Sequence, residues 1–256
     1  MSAANPIEQW RRDAAAPFEG WDFAYLNGRM TQAEPGWDYV ALARAAASRA
    51  HKILDVATGG GELLSTLGPF PGRVTATEGY APNVAVALRR LEPLGIAVHQ
   101  ANTASGMPFE DGAFDLILNR HGGFRPEEMC RVLKPGGAFL SQQVGGDNLA
   151  DLAETFGARQ TSPDNTLNNV AERFRAAGCA ITRAEAWCGP VVFADVGAIV
   201  YFLKAVPWVV EDFDIERHRP VLRALERGRA AGRPLAFTST RFLIEARKTG
   251  PPSDDA

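Results

Sequence analysis

The strongest chemical signal in the chain is a glycine-rich stretch directly after an apolar run. Residues 53–64 read ILDVATGGGELL, with Asp55 inside the apolar run and three consecutive glycines shortly after it. Three glycines in a row cost more backbone entropy than almost any other choice, so we expect them where another molecule approaches the bare backbone. A strand, a glycine-rich turn and a helix together are typical of nucleotide-type cofactor sites.

Two common nucleotide sites fit this stretch poorly. A dinucleotide site with the GxGxxG pattern would fall on Ala57, Gly59 and Glu62, and the Glu62 carboxylate would repel a pyrophosphate. A P-loop needs a Lys followed by Ser or Thr after the glycines, and this chain has no such pair there. The pattern therefore favours a cofactor without phosphate groups.

The stretch resembles motif I of the class I S-adenosylmethionine-dependent methyltransferases, in which an acid is followed by GxGxG. The acid is Asp55, and the three glycine positions carry Ala57, Gly59 and Gly61, with Thr58 between the first two. The first glycine is thus an alanine, whose methyl group would tighten the turn slightly. The resemblance implies that these residues hold S-adenosylmethionine, a sulfonium cation that tolerates nearby carboxylates.

Four further features of the family follow at the expected spacing. Within VTATEGY, Glu78 ends the second predicted strand, and the resemblance implies that its carboxylate accepts the ribose hydroxyls. Asn102 stands where the family usually has an aspartate for the adenine amino group, and an amide oxygen can still accept there, with Thr103 assisting. The stretches PFEDGAFDLI, at 108–117, and KPGG, at 134–137, complete the set.

Candidate groups for methyl transfer follow the fourth predicted strand, where this family brings the acceptor to the methyl group. The chain reads Asn119, Arg120 and His121 before two glycines. Asn119 is expected at the cofactor. His121 is a candidate general base or a structural loop histidine, and Arg120 either orients an anionic acceptor or pairs at the surface. An NPPY-type motif is absent here, which disfavours methylation of an exocyclic amino group on a base.

A metal is not expected. Catechol-type relatives use an Asp after strand four and Asp-Asn after strand five, and Asp147 and Asn148 match only the second part. Arg120 and His121 replace the first acid, which leaves too few hard oxygen ligands. The expected cofactor is S-adenosylmethionine alone, with S-adenosylhomocysteine as the product.

Two aromatic regions are candidates for the acceptor site. An N-terminal segment rich in Trp, Phe and Tyr either covers the sulfonium, since aromatic faces attract cations, or packs on the sheet as a strap. A long segment between the last two predicted strands is also aromatic. The predicted substrate-binding residues are Trp21, Tyr25, Phe193, Tyr201 and Trp208.

These motifs require a particular scaffold. Strands separated by helix-length segments predict an α/β fold with a parallel sheet covered on both faces. The resemblance, which covers about residues 47–144, implies a Rossmann-like sheet of seven strands in the order 3-2-1-4-5-7-6, parallel except for the last strand. The predicted strands are residues 51–57, 73–79, 96–102, 114–120, 138–144, 179–189 and 235–248.

The same reasoning predicts four regions. Residues 47–146 form the cofactor-binding core, and residues 147–248 form the C-terminal half of the sheet with an insertion at 190–233. Residues 1–46 form the N-terminal strap or lid, and residues 249–256 a flexible tail. The insertion is expected to cap the acceptor site, because a connection this long inside a compact domain is usually functional.

Composition and charge limit the kinds of partner and the cellular location that we expect. The chain has 256 residues and a net charge of −3, which disfavours nucleic acid, although the arginines at 217–233 keep RNA open. The three cysteines form no CxxC pair and are expected to be reduced. No apolar run approaches the roughly 20 residues that span a bilayer, and the N-terminus lacks a signal-peptide core, so no membrane association and a cytoplasmic location are expected.

The sequence therefore predicts an S-adenosylmethionine-dependent methyltransferase acting on a small molecule. Two alternatives remain open: an RNA methyltransferase, and a catalytically silent S-adenosylmethionine-binding protein that acts as a partner. The sequence does not indicate the acceptor atom or the oligomeric state.

Overall fold

A computed structural model describes residues 6–18, 22–103 and 106–250. These residues fall into two compact units. We call residues 36–103, 106–145, 165–186 and 241–250 the sheet unit, and residues 6–18, 22–35, 146–164 and 187–240 the helical unit.

The described strands are ordered β1-β7-β8-β6-β5-β2-β3-β4. They are β1 (Met30–Gln32), β2 (Lys52–Val56), β3 (Arg73–Glu78), β4 (Ala97–Gln100), β5 (Phe114–Arg120), β6 (Leu133–Val144), β7 (Cys179–Phe193) and β8 (Leu235–Lys248). Strands β2 to β6 pair in parallel, and β8 pairs antiparallel with β6. Without β1 this is the predicted order 3-2-1-4-5-7-6, so the predicted fold class is confirmed.

The strand count differs from the prediction by one. Strand β1 pairs antiparallel with the end of β7, where Met30 faces Phe193 and Gln32 faces Val191. Three residues are too short to give an alternating pattern, so the sequence did not reveal this strand. Consequently residues 190–193 end β7 and are not the start of the insertion.

Five helices belong to the sheet unit. They are α2 (Tyr39–Ala47), α3 (Leu64–Leu67), α4 (Ala81–Leu91), α5 (Pro126–Val132) and α7 (Leu167–Ala176). The central strands are apolar along most of their length: Ile53, Leu54, Ile117 and Leu118 have no exposed surface. Such continuous burial is expected for parallel strands that helices cover on both faces.

The prediction that all three cysteines are reduced is wrong for two of them. Cys130 of α5 and Cys179 of β7 form a disulfide, with a Cα–Cα distance of 6.3 Å, whereas Cys188 is free and exposed. The two partners are 49 residues apart, so only the packing of α5 beside β7 brings them together.

The helical unit is built around an apolar helix. Its helices are α1 (Pro6–Ala15), α6 (Ala150–Thr155), α8 (Val196–Ala205) and α9 (Arg219–Ala230). Eight of the ten residues of α8 are buried, and α8 packs against α1. Lys204 is exposed on α8, whereas Tyr201 is only 2% exposed.

A buried carboxylate ties the N-terminal segment to α8. Asp13 has no exposed surface and accepts hydrogen bonds from the Tyr25 hydroxyl at 2.7 Å and from Arg29 Nη1 at 2.9 Å. Arg29 also donates to Asp195, which caps α8 through the Ala198 N–H. A Cβ atom at Gly197 would lie 2.0 Å from Asp13 Oδ2, so glycine is needed for this approach. We call Asp13, Tyr25, Arg29 and Asp195 the Asp13 cluster.

Across the residue ranges that the structure describes, no helix is both long enough and apolar enough to cross a membrane.

Candidate active site

The glycine-rich stretch forms a turn of left-handed backbone at the carboxyl end of β2. Ala57, Gly59 and Gly61 have φ values of 56°, 63° and 78°. A Cβ atom at Gly61 would lie 2.7 Å from the Leu91 side chain of α4, closer than real contacts allow. The turn is held to β3 by the Thr58 N–H, which donates to the Thr77 carbonyl at 2.9 Å. The glycines therefore serve both backbone conformation and close packing.

Ala57 occupies a conformation that glycine adopts without cost. For a residue with a Cβ atom, the left-handed region costs roughly 1–2 kcal/mol. Space for the methyl group comes from Gly122, where a Cβ atom would lie 2.4 Å from Ala57 Cβ. The Ala57 methyl group therefore fits only because the neighbouring residue after β5, Gly122, has no side chain.

The Ala57→Gly substitution is expected to stabilise the protein by about 0.5–1 kcal/mol, because it removes the left-handed strain. Chemical denaturation measures the change. Ala85→Gly is the control, since Ala85 is exposed in α4 with ordinary helical backbone, and there glycine should cost about 1 kcal/mol. A destabilised Ala57→Gly protein would contradict the strain argument.

Glu78 connects the turn to the next loop. Its side chain is 7% exposed; Oε2 accepts the Gly59 N–H and Oε1 accepts the Tyr80 N–H, both at 2.8 Å. Each carboxylate oxygen has two acceptor sites, so both retain capacity for a ligand hydroxyl. Glu78 lies at the end of β3 and fixes the backbone of the turn.

Asp55 is a half-buried carboxyl group on β2 beside this turn. Burial raises the pKa of Asp55 to about 7; the Thr58 side chain opposes this increase, and the charge of Glu78 adds to it. Near neutral pH this carboxyl group is therefore close to half-ionised.

An open cleft of about 570 Å³ lies at the carboxyl end of β4. Its lining residues are Gly79, Gln100, Ala101, Asn102, Gly106, Met107, Pro108, Glu128 and Arg131. Glu128 accepts the Met107 N–H at 2.6 Å and pairs with Arg131, which fixes this wall. Asn102 thus lines a cleft beside the turn after β3, whereas the Thr103 hydroxyl donates to the Gly123 carbonyl at 3.3 Å.

Asn119 is fully buried at the end of β5. Its amide nitrogen donates to the Val56 carbonyl at 2.9 Å, and its oxygen accepts from Ser141 and Gln143. The Tyr39 hydroxyl donates to its main-chain carbonyl. The buried Asn119 side chain therefore holds Val56, the residue directly before the glycine-rich turn.

His121 directly follows β5 and is tied twice to Gln142 of β6. The main-chain N–H of His121 donates to the main-chain carbonyl of Gln142 at 2.9 Å. The ring atom Nε2 of His121 lies 2.9 Å from the side-chain amide nitrogen of Gln142. The other amide atom, Gln142 Oε1, accepts from Trp37 Nε1 at 2.7 Å. Desolvation and the positive charges of Arg241 and Arg120 hold the pKa of His121 below its ordinary value.

The comparisons with known proteins match this region. Residues 53–137 match the family model described as a methyltransferase domain. A demethylmenaquinone methyltransferase of Chlorobaculum parvum is 33% identical over 112 residues, which are 40% of this chain and 46% of that protein. A 23S rRNA (guanine(748)-N(1))-methyltransferase of Streptomyces fradiae is 32% identical over 75 residues, 28% of this chain and 27% of that protein.

The fold matches solved structures over a longer range. The YcgJ protein of Bacillus subtilis superposes with a TM-score of 0.60 and 19% identity, covering 83% of this chain and 99% of that one. Residues 53–137 therefore resemble a methyltransferase domain, and the chain has the fold of these solved structures. It spans just under half the length of the first curated relatives that it matches.

Four of the five residues predicted to bind substrate lie in the helical unit, whereas the methyltransferase motifs lie in the sheet unit. Phe193 and Tyr201 are buried at 2% exposure in the core of the helical unit, whereas Tyr25 and Trp208 are 38% and 48% exposed. Tyr25 stacks on Tyr201 with ring centroids 4.5 Å apart. Residues 24–26 form a 3-10 turn, so this segment is not extended. Trp21 lies outside the described residues.

Sequence reasoning missed the polar residues that support the methyltransferase motifs. Gln142 and Gln143 are 6% and 4% exposed on β6, and Trp37 donates to the first of them. Two adjacent glutamines inside an otherwise apolar strand were the available signal, because buried amides are retained only with hydrogen-bond partners.

The site fits an organic cofactor. Beside the turn, the hydroxyl oxygen of Thr77 is buried and has no hydrogen-bond partner among the residues described, so it is available to a ligand group. Within the same described ranges, no three His, Cys, Asp or Glu side chains come close enough together to hold a metal ion.

Proposed function

We propose that the chain is an S-adenosylmethionine-dependent methyltransferase that acts on a small molecule. One observation carries the proposal: the bare left-handed turn from Ala57 to Gly61 is joined to the Glu78 carboxylate by the Gly59 N–H. A turn with three glycines beside a buried acceptor suits a ligand with a sugar and a compact amino-acid part. The methyltransferase-domain match supports the same cofactor.

The cofactor's parts are assigned to residues as follows. The turn from Ala57 to Gly61 holds the methionine part, Glu78 the ribose hydroxyls, and Asn102 the adenine edge in the cleft after β4. When bound, S-adenosylmethionine supplies an electrophilic methyl group. The protein's contribution is then to orient the acceptor and exclude water, since transfer from a sulfonium depends largely on positioning.

We favour a small planar acceptor over RNA. The net charge of −3 gives no general attraction for a phosphate backbone. The curated relatives include a demethylmenaquinone methyltransferase, which suggests a quinone-like ring, and an rRNA methyltransferase, which keeps RNA as the second candidate. We further propose that the connection between β7 and β8, residues 194–234, selects the acceptor, because it spends about 40 residues where a short hairpin could suffice.

Cofactor affinity is expected to rise about tenfold from about pH 6 to about pH 8, because Asp55 ionises with a pKa of about 7. A raised carboxyl pKa means that ionising Asp55 costs the folded state stability as pH rises from about 4 to about 7. A bound sulfonium favours the ionised form, so binding releases a proton in this range. Calorimetry in buffers of different ionisation enthalpy measures this release.

The control for the pH effect is Asp55→Asn, which should bind the cofactor with a flat pH profile. An unchanged pH slope in that variant would assign the titration to another group.

Transfer itself is tested by incubating the protein with methyl-labelled S-adenosylmethionine and a fractionated cell lysate. Label in small, organic-extractable metabolites is the expected result. Label in RNA would establish the second candidate, and cofactor binding without any transfer would favour a catalytically silent partner protein.

A further inference from the structure

The hydrogen bonds around Gln142 determine which nitrogen of His121 carries its proton. The Trp37 indole N–H can only donate, so the atom of the Gln142 amide that faces it, at 2.7 Å, must be the oxygen. The opposite atom, Gln142 Nε2, is then a donor, and it lies 2.9 Å from His121 Nε2. His121 Nε2 must accept this bond, so the ring proton of the neutral histidine is on Nδ1.

This arrangement is incompatible with His121 as a general base. The lone pair on Nε2 is occupied by the Gln142 amide, and Nδ1 already holds the proton. Protonation of Nε2 would place two donors against each other and break the bond to Gln142. What the ring offers to a ligand is one N–H donor.

The backbone at His121 adopts a conformation that favours glycine. Its φ is 59°, a left-handed conformation in which glycine would be less strained. Non-glycine residues held in such conformations cluster at functional sites. Part of the residue remains accessible to solvent, although the surrounding protein desolvates the ring, and Nδ1 has no hydrogen-bond partner among the described residues.

Two positive charges act on this ring. The charges of the Arg120 and Arg241 guanidinium groups both lower the pKa of His121. A neutral N–H in the field of two cations attracts an oxygen that carries negative charge, because bonds to charged acceptors are the stronger ones.

We propose that His121 is an N–H donor, locked as its Nδ1–H tautomer by Trp37 and Gln142, and that together with Arg120 and Arg241 it binds an anionic oxygen of the methyl acceptor. The ligand class is a phenolate or enolate. That the bound anion belongs to the methyl acceptor rests on the proposed function. The tautomer and the binding of an anion can be measured without any methyl transfer.

The first experiment is nitrogen NMR of the full chain labelled at its histidine rings. The chain has four histidines, and loss of one signal set in His121→Asn assigns His121. The expected result is a neutral ring protonated on Nδ1 at neutral pH, and a mixture of both tautomers in Trp37→Phe, where the Gln142 amide is released. A ring protonated on Nε2 would overturn the proposal.

The second experiment measures binding of 2-hydroxy-1,4-naphthoquinone, a planar enolate at neutral pH, with its 2-methoxy ether as the uncharged control. The enolate should bind at least tenfold more tightly than the ether. His121→Gly should lose about tenfold in enolate affinity, and His121→Asn should recover most of that loss. Asparagine tolerates the left-handed backbone, and its amide N–H lies near the position of Nδ1.

Equal affinity for enolate and ether, or full enolate affinity in His121→Gly, would refute the proposal. Calorimetry with S-adenosylmethionine on the same variants keeps the two hypotheses apart. Normal enolate binding without cofactor binding would remove the proposed function and leave the anion site. Normal cofactor binding without enolate binding would refute the anion site and leave the proposed function.

Discussion

Replacement of Asp13 by alanine is expected to lower the free energy of unfolding of the protein by about 3 kcal/mol. Asp13 has no exposed surface and accepts from Tyr25, Arg29 and Gln9. Removing the carboxylate leaves the Tyr25 hydroxyl and one side of the Arg29 guanidinium without their acceptor, while Asp195 still compensates part of the arginine charge. Chemical denaturation followed by circular dichroism measures the loss.

Glu8→Ala is the matched control, because Glu8 lies exposed on the same helix α1. This variant should change the unfolding free energy by less than about 0.5 kcal/mol. If Asp13→Ala costs no more than the control, the Asp13 cluster does not fasten the N-terminal segment to α8.

Replacement of Glu78 by glutamine is expected to weaken S-adenosylmethionine binding by about 1.5–3 kcal/mol, or roughly 10- to 150-fold. The amide keeps the shape but has one acceptor oxygen, so either the Gly59 or the Tyr80 N–H faces another donor. The charged acceptor assigned to the ribose is lost as well. Calorimetric titration of the variant measures the affinity.

The exposed Glu92→Gln variant serves as the control and should bind the cofactor like the natural protein. A loss of only a few tenths of a kcal/mol in Glu78→Gln would mean that Glu78 only supports the backbone and does not contact the cofactor.

The parts of the fold that could be predicted are those that local patterns encode. The glycines of the turn, the apolar strands and Glu78 at the end of β3 lie close together in sequence, so their spacing indicates their arrangement. Strand order came from the resemblance and is confirmed. The three residues of β1 and the disulfide between Cys130 and Cys179 depend on distant segments, and no local pattern encodes them.

The candidate site was predictable only in part, for the same reason. The sequence placed Tyr201 among the substrate-binding candidates but could not show that it is buried against Tyr25. The position of Asn119 indicated a cofactor contact, whereas its amide bonds the Val56 carbonyl inside the protein. The link from Trp37 to His121 joins residues that are far apart in the chain, so it becomes visible only in three dimensions.

The most direct test of the central claim is a calorimetric titration of the full chain with S-adenosylmethionine and, separately, with S-adenosylhomocysteine. We predict saturable binding of both ligands with one site per chain and a dissociation constant in the micromolar range, about −8 kcal/mol. Absence of binding heat for both ligands would contradict the assignment of the glycine turn as a cofactor site, and with it the proposed methyl transfer.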